Sequence, residues 1–462
     1  MVELRADRVA ELIEGTLLQG SPSLTFSDFN FDSRLTKPGE LFFAIVARRN
    51  GHEFVQSAAE GGAKGAVISQ EVGILDSDFA LIRVRDTQVA LQILARKVLA
   101  EHPTKVVGIT GSIGKTTTKE FTAALLAANL TVLKSEANFN NRLGLALTLL
   151  RIEKRHQAAV LELGMNAPGE IRALTAIAPL DVAVVTNINP VHLEFLKTIE
   201  NIAVAKREIL EGMKENGVAV LNGDDPRVRR IAQSWKGQTI TFGLSDGCDI
   251  QARNIKNLGY DGMVFNLKYG SEKGPVRFPF LAETYIMNLL AALGVAHAFS
   301  LPLEKVEKPI QALKPFARRG ILLRLGRDIV VIDDSYNSNP KALETALASF
   351  SRLPAKRKVA ILGDMLELGE AAAAFHEEAG RQVVRSDWNL LVTVGPLSRQ
   401  IAGGARAEGM ASDQIFSFEN SDEAAAGVLG LLREGDLILV KGSRGMKTET
   451  IVGKIQDAFK EP

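Results

Sequence analysis

The chain has 462 residues, of which 46% are hydrophobic and 24% charged, and its formal net charge is +1. This composition is typical of a globular protein, and a charge so close to zero, without a run of lysine or arginine, argues against a nucleic-acid-binding surface. A typical domain length of about 100–200 residues predicts about three domains. Cys248 is the only cysteine, which excludes an intramolecular disulfide and a cysteine-rich zinc site.

The N-terminal region, residues 1–15, carries acidic and basic side chains throughout. This pattern predicts an amphipathic helix rather than a signal peptide. No apolar run reaches the length of about 18 residues that a membrane span requires. We therefore expect a cytoplasmic protein without a membrane span.

A small α/β domain is predicted over residues 1–102. Short strand-like runs at 41–46, 66–68 and 80–84 alternate with Gly/Pro turns, and a helix is predicted over 88–99. Pro103 then marks a boundary, because the residue before a proline disfavours helix.

The apolar run 106–109 ends in a Gly-rich turn that opens a helix, and this is the most distinctive motif in the chain. Such a turn aims backbone N–H groups and a helix N-terminus at phosphates. Lys115 would reach the terminal phosphates, and the Thr116 hydroxyl would ligate Mg²⁺. The alternative is a Gly-rich turn with a solvated lysine. The predicted nucleotide-binding residues are Gly111, Ser112, Ile113, Gly114, Lys115, Thr116 and Thr117.

Buried strands alternate with helices from residue 103 to 313, which predicts a central, doubly wound and mostly parallel sheet carrying the phosphate loop (a P-loop domain). Ligands bind such sheets beyond the carboxyl ends of the strands. After Pro315 the alternation restarts, with strands at 329–332, 359–362, 390–394 and 437–440. Residues 314–462 are therefore predicted to form a second, Rossmann-like α/β domain.

Two charged residues interrupt apolar patterns in the central domain. Glu162 ends an apolar strand, so it either ligates Mg²⁺ or points to solvent by alternation. Lys206 falls on the apolar stripe of a predicted helix, where it either extends to the rim or has a functional role.

Other polar residues follow strand ends. His192 is a candidate ligand in a loop, although a lone histidine is more often a structural hydrogen-bonding group. Asp224 and Asp225 could likewise be metal ligands, but they precede Pro226, and this sequence is typical of a turn and helix start. Residues 333–340 are rich in side chains suited to ribose hydroxyls, and they could equally form a capped turn.

These motifs together resemble the Mur ligases. The resemblance rests on residues 110–119, 162–170, 186–194 and 205–206, and on 333–340, 362–370 and 441–444 near the C-terminus. Residues 32–34, 38–42 and 51–54 resemble the family's uridine-nucleotide domain. Within the family, the C-terminal motifs are similar to those of the member that adds D-alanyl-D-alanine to UDP-N-acetylmuramoyl-tripeptide.

The resemblance implies an ATP site with two Mg²⁺ ions. Asn288 would lie near the adenine, Asp334 at the ribose and Arg319 at the phosphates. Thr116 and Glu162 would hold one ion. A second would be held by Glu162, His192 and Lys206, which the family carries as a carbamate, an anionic oxygen ligand of the kind Mg²⁺ prefers. The resemblance assigns catalysis to Lys115, His192, Lys206 and Arg319.

The resemblance also implies substrate contacts and a reaction. The substrate residues would be Ser33, Arg34, Asn138, Asn140, Asn141, Tyr336, Asn337 and Asn339. The tripeptide carboxylate would attack ATP to give an acyl phosphate, and the amine of D-alanyl-D-alanine would then displace phosphate. We expect a monomer in which domain closure excludes water. The alternatives are the related ligase that adds the third amino acid and, in another class, a P-loop NTPase switch.

Overall fold

The computed structural model describes residues 3–73, 76–136, 139–191, 193–316 and 318–460. Its first part is a five-stranded sheet in the order β2-β7-β6-β5-β4, beside a two-stranded sheet of β1 and β3. The elements are β1 (Leu4–Arg5), α1 (Ala6–Leu12), β2 (Thr16–Gln19), β3 (Thr25–Phe26), β4 (Phe29–Asn30), β5 (Leu41–Phe43), α2 (Val55–Glu60), β6 (Gly65–Ile68), β7 (Ala80–Arg83) and α3 (Thr87–Ala100).

The second sheet has nine strands in the order β16-β15-β14-β13-β12-β11-β8-β10-β9. Its strands from β9 to β14 pair in parallel, and β14, β15 and β16 form an antiparallel edge. The elements are β8 (Lys105–Thr110), α4 (Lys115–Ala127), β9 (Val132–Lys134), α5 (Arg142–Leu150), β10 (Ala158–Glu162), α6 (Glu170–Ile177), β11 (Leu180–Val185), α7 (Leu193–Leu196), α8 (Ile199–Glu211), β12 (Met213–Asn222), α9 (Pro226–Ala232), β13 (Gln238–Gly243), β14 (Ile250–Asn257), β15 (Met263–Tyr269), β16 (Glu272–Phe278), α10 (Thr284–Ala298) and α11 (Leu303–Ala312).

The third sheet has six strands in the order β17-β18-β22-β19-β20-β21, and all its pairings are parallel except that of β17 with β18. The elements are β17 (Ile321–Arg324), β18 (Val330–Asp333), α12 (Pro340–Phe350), β19 (Arg357–Gly363), α13 (Ala372–Arg385), β20 (Leu390–Val394), α14 (Arg399–Ala407), β21 (Ile415–Phe418), α15 (Ser421–Gly427), β22 (Asp436–Lys441) and α16 (Glu449–Ala458).

Strand register brings the chemical candidates of the central sheet to one edge. β8 lies between β10 and β11, with Ile109 opposite Glu162 and Thr110 opposite Val185. The strands are parallel, so the phosphate loop, Glu162 and the loop after β11 all leave the same edge of the sheet. Apolar side chains on both faces of these strands are buried against α-helices, as a doubly wound sheet requires.

The α/β class and the mostly parallel sheets predicted from the sequence are confirmed. The predicted N-terminal helix is shorter than expected, because Leu4 and Arg5 pair with β3 as a strand and α1 begins only at Ala6. Within the described ranges, no helix combines the length and apolar character needed to cross a membrane.

Candidate active site

The phosphate loop joins β8 to α4 through two glycines with positive φ. Gly111 has φ +151° and Gly114, which caps the N-terminus of α4, has φ +86°. A side chain at Gly111 would collide with the Thr186 hydroxyl, and one at Gly114 with the Asn288 amide oxygen. The backbone shape and the crowding both require glycine at these positions.

The loop that follows β11 forms several hydrogen bonds with the phosphate loop. Asn187 accepts a hydrogen bond from the Ile113 N–H (2.9 Å) and donates one to the Ile113 carbonyl (3.0 Å). The Ser112 hydroxyl donates to the Asn189 carbonyl at 2.9 Å, and Thr186 donates to Ile113 at 2.7 Å. These bonds hold the loop in one conformation without using any charged group.

Lys115 folds back over the loop, with its ammonium 2.8 Å from the Gly111 carbonyl oxygen. Burial lowers the pKa of Lys115, the Glu162 carboxylate opposes that shift, and the Arg319 guanidinium adds to it. The ammonium therefore lies at the phosphate loop in partly desolvated surroundings, where its attraction for an anion is strong.

Glu162 is buried at 4% exposure, so the solvent-pointing alternative is wrong. Its Oε1 atom accepts a hydrogen bond from the Asn140 amide at 3.0 Å. Its Oε2 atom is buried and accepts no hydrogen bond from the described part of the chain. An unsatisfied buried carboxylate oxygen is costly unless a cation binds it, so this residue fits a metal ligand.

Lys206 on α8 is 1% exposed, which excludes the alternative that its ammonium extends to the protein rim. Burial, reinforced by the charge of Lys115, holds the pKa of Lys206 well below its ordinary value. His192, the other predicted ligand, lies outside the described residues, as does Asn138.

Segments next to the strands of the third sheet contribute side chains that line the same cavity as the phosphate loop. Arg319 donates a hydrogen bond to the Thr116 hydroxyl at 3.1 Å, and its guanidinium carbon lies 4.2 Å from the centre of the Tyr336 ring. Arg444 lies 5.2 Å from the same ring centre. Tyr336 therefore orients two cations at the boundary between the central and C-terminal sheets.

Residues 333–340 include side chains that line the cavity and also the N-terminal cap of α12. Lys441 binds the Asp334 carboxylate at 2.5 Å and the Asn337 carbonyl at 3.0 Å. Asn339 caps α12 through the Ala342 N–H. The capped turn is thus present, and Lys441 holds the Asp334 carboxylate beside it.

A cavity of about 710 Å³ lies between the central and C-terminal sheets. Of the predicted site residues it is lined by Ser112, Ile113, Gly114, Lys115, Thr116, Thr117, Asn140, Asn141, Glu162, Asn288, Arg319, Asp334, Tyr336, Asn337 and Asn339. Four of the predicted residues that the structure describes do not line it, namely Gly111, Lys206, Ser33 and Arg34. Arg34 lies in a short 3₁₀ turn after β4, where its side chain pairs with Asp32 at 2.6 Å.

The oxygen atoms available at this site suit Mg²⁺ better than a metal ion whose ligands are all supplied by protein side chains. Among the described residues no three His, Cys, Asp or Glu side chains cluster as a metal site. Mg²⁺ commonly takes only one or two protein oxygens and completes its shell with water and phosphate oxygens. The Thr116 hydroxyl and the orphaned Glu162 oxygen, which line the same cavity, fit that pattern.

Comparisons with known proteins cover nearly all of the chain. Residues 109–296 match the model of the Mur ligase middle domain, and residues 318–444 match that of the Mur ligase, glutamate ligase domain. The chain is 35% identical over 98% of its length to the UDP-N-acetylmuramoyl-tripeptide--D-alanyl-D-alanine ligase of Bacillus subtilis, of which it also covers 98%. The chain belongs to the Mur ligase family.

Solved structures of Mur ligases share the three-domain architecture. MurF from Acinetobacter baumannii superposes with a TM-score of 0.90 at 28% identity, with 99% of both chains covered. A MurF ligase from Thermotoga maritima in complex with ADP superposes with a TM-score of 0.82 at 28% identity, covering 93% of this chain and 97% of that one. The three-domain fold expected from the sequence is confirmed.

Several residues that shape this Mur ligase site were not predicted from the sequence. Lys441 and Arg444 lay within a motif but received no role, and Glu170 also lines the cavity. Lys119 is fully buried on α4, four residues after Lys115. The signal for Lys119 was its helical spacing, because the buried residues Thr122 and Ala123 lie three and four positions further along on the same side of α4. By contrast, Asp225 caps α9 and supports the Ile188 N–H, so the structural interpretation of that residue is confirmed.

Proposed function

We propose that this Mur ligase joins D-alanyl-D-alanine to UDP-N-acetylmuramoyl-tripeptide, with ATP cleaved to ADP and phosphate. The observation that carries the proposal is the full-length similarity to the Bacillus subtilis enzyme of that name. The geometry supports it, because the phosphate loop, Glu162 and Arg319 converge on one cavity. The product would be the UDP-linked pentapeptide precursor of peptidoglycan.

Two Mg²⁺ ions are assigned to the residues described above. Thr116 and Glu162 would hold one, and Glu162, His192 and carbamylated Lys206 the other. When bound, such ions neutralise the charge that accumulates on a transferring phosphoryl group.

The lowered pKa of Lys206 supports the proposed carbamate on its amine. Because the pKa of Lys206 is well below its ordinary value, a larger share of the amine is unprotonated than in a solvated lysine. The neutral nitrogen attacks the carbon of CO₂, an N–C bond forms, and one proton is released to solvent. The product is an anionic oxygen group near the Lys115 ammonium.

The chain's residues would act on two successive steps. The tripeptide carboxylate attacks the γ-phosphorus of ATP, an O–P bond forms, and the bond to ADP breaks, giving an acyl phosphate. Lys115 and Arg319 donate hydrogen bonds to the phosphoryl oxygens as negative charge is redistributed. The amine of D-alanyl-D-alanine then attacks the acyl carbon and loses a proton, and phosphate leaves with the electrons of the broken C–O bond.

The substrate would extend across all three predicted domains. Residues 1–102, with Ser33 and Arg34, would bind the uridine nucleotide, and 103–313 would bind ATP. Asn138, Asn140 and Asn141 would contact the muramoyl peptide. Residues 314–462 would contribute Asp334 at the ribose, with Asn288 near the adenine, and Tyr336, Asn337 and Asn339 on the substrate side. We expect a cytoplasmic monomer.

Phosphate release from Mg-ATP tests the proposal, with the UDP-tripeptide and D-alanyl-D-alanine added separately and together. Release that needs both substrates, with a UDP-pentapeptide in the mass spectrum, is the expected result. Steady hydrolysis indifferent to either substrate would identify an NTPase switch instead. In a parallel reaction that contains a UDP-dipeptide and a single amino acid, ligation of the two would identify the ligase that adds the third residue.

A further inference from the structure

Lys119 is a fully buried lysine that the reaction described above does not use. Its side chain has 0% exposure, and it lies on α4, the helix that begins with Lys115 and Thr116. Its ammonium donates a hydrogen bond to the Ser135 carbonyl at 2.7 Å and pairs with the Glu120 carboxylate at 2.9 Å. Burying an ion pair costs several kcal/mol of desolvation per ion, so stability alone is a poor reason for its presence.

The Ser135 contact leads directly to Glu162. Ser135 is fully buried just after β9, and its hydroxyl accepts a hydrogen bond from the Glu162 N–H at 3.1 Å. The Ser135 N–H donates to the Val160 carbonyl at 3.1 Å, so the residue is fastened to β10 on both sides of Leu161. Further along, Asn140 contacts Glu162 through its side chain at 3.0 Å and accepts from the Gly164 N–H at 2.9 Å.

We infer that Lys119 is a positioning residue for the metal-binding carboxylate. Through Ser135, it fixes the distance between α4, which carries Thr116, and the end of β10, which carries Glu162. The two proposed protein ligands of one Mg²⁺ ion come from these two elements, so their separation decides whether one ion can bind both. This inference rests on the proposed function, since it assumes that Glu162 binds metal.

Lys134 provides a matched control within the same group of charges. Its ammonium binds the other oxygen of the Glu120 carboxylate at 2.5 Å, but its side chain is 47% exposed. Lys134→Met therefore removes a cation from Glu120 while leaving the link from Lys119 to Ser135 intact. A general effect of charge near α4 would appear in both variants, whereas a positioning effect would appear only in Lys119→Met.

The test measures Mn²⁺ binding to the full chain by electron paramagnetic resonance, in the presence of a non-hydrolysable ATP analogue. Lys119→Met and, separately, Ser135→Ala should each raise the Kd for Mn²⁺ about tenfold or more, as losses of outer-shell partners commonly do. Lys134→Met should bind Mn²⁺ like wild type. Binding of ADP in the presence of EDTA, followed by thermal shift, should be unchanged in all three, because Lys115 and the loop amides are untouched.

An unchanged Mn²⁺ Kd in Lys119→Met and Ser135→Ala would overturn the inference. Equal losses of Mn²⁺ and metal-free ADP binding would also overturn it, because they would indicate general damage to α4. If Lys119→Met fails to fold, Ser135→Ala decides alone. Wild-type ligation with unaltered Mn²⁺ binding in the variants would refute only this inference, whereas absence of Mn²⁺ binding in wild type would refute the metal assignment and the inference together.

Discussion

Lys206 and Glu162 are two buried charged residues of the central sheet and its helices, and both lack a full set of partners. Lys206 is 1% exposed and forms no ion pair with the described side chains, while one oxygen of Glu162 is unsatisfied. Isolated buried charges reduce the stability of the folded state. Their presence in a buried apolar environment therefore indicates a functional role. For Lys206, the loss of folding stability caused by the buried charge can be measured directly.

Replacing Lys206 with methionine should stabilise the ligand-free protein in CO₂-free buffer. The pKa of Lys206 is depressed by folding, so between that pKa and the ordinary value of 10.5 the unfolded chain binds more protons than the folded one. The destabilisation caused by burying the Lys206 charge is fully present below the pKa of Lys206 in the folded state. It disappears as the pH rises towards 10.5, the ordinary pKa of lysine. We expect a Tm above that of wild type near neutral pH, by about 2–4 °C for each kcal/mol recovered, and convergence at high pH.

Arg207→Met, in the same helix, is the control for this measurement. Arg207 is partly exposed and pairs with Glu211 at 3.4 Å, so its loss should leave the pH dependence unaltered. A Tm difference for Lys206→Met that stays constant with pH would contradict the argument. Ligase activity of Lys206→Met should be lost in either case, because methionine cannot form a carbamate.

At the scale of elements, α8 is held against α6 by a buried carboxylate. Glu208, at 3% exposure, accepts hydrogen bonds from the N–H groups of Gly169 (2.7 Å) and Arg172 (3.0 Å). These groups lie in the first turn of α6, whose N-terminal end has no side-chain cap of its own. A negative charge there satisfies unpaired donors and the positive end of the helix dipole.

Glu208→Ala should therefore cost about 1–3 kcal/mol of stability, because buried donors lose a charged acceptor. Glu211→Ala is the matched change on the same helix. Its carboxylate binds Arg172 at 2.8 Å on a more exposed surface, and such pairs contribute about 0.2–1 kcal/mol. Thermal unfolding of both variants provides the comparison. Equal shifts in Tm would mean that the stability of α6 does not depend on Glu208. We also expect a lower kcat for Glu208→Ala, because Glu208 lies on α8, the helix that carries Lys206.

For the whole molecule, the central and C-terminal sheets are joined by polar contacts and by Leu281 and Ala282, which are buried in the hydrophobic core of the third sheet. Arg319 reaches Thr116, Glu283 pairs with Arg352 at 2.6 Å, and the Tyr260 hydroxyl donates to the Pro354 carbonyl at 2.8 Å. Polar contacts of this kind hold domains weakly, so relative motion is the default expectation. Bound nucleotide and substrate would add bridging contacts at the cavity.

We expect the radius of gyration in solution scattering to fall when an ATP analogue and the UDP-tripeptide are added together. Arg319→Ala should show less compaction, since the Arg319 guanidinium links the C-terminal part of the chain to Thr116 on α4. Arg381→Ala, which removes an arginine paired with Glu377 at 3.2 Å within α13, should compact like wild type. An unchanged radius in the wild-type protein would contradict closure on ligand binding.

The phosphate loop and the strand–helix alternation could be predicted from the sequence because both are local. Strand periods and glycines at positive φ depend on neighbouring residues, so β8, α4 and Gly114 follow from a short window of chain. Spacing alone left Glu162 and Lys206 ambiguous, since the alternatives differ only in burial. Burial depends on which elements pack above them, and the structure places both inside.

The sequence by itself determined the class of the protein, its phosphate loop and its family. Only the tertiary structure decided which distant groups meet. Thr116 and Arg319 are 203 positions apart, and Asp334 and Lys441 are 107 apart, yet each pair is in hydrogen-bond contact. The role proposed for Lys119 likewise depends on a tertiary contact, the hydrogen bond from its ammonium to the carbonyl of Ser135 just after β9. The physical reason is that local preferences specify elements, whereas a buried charge finds its partner only when those elements pack.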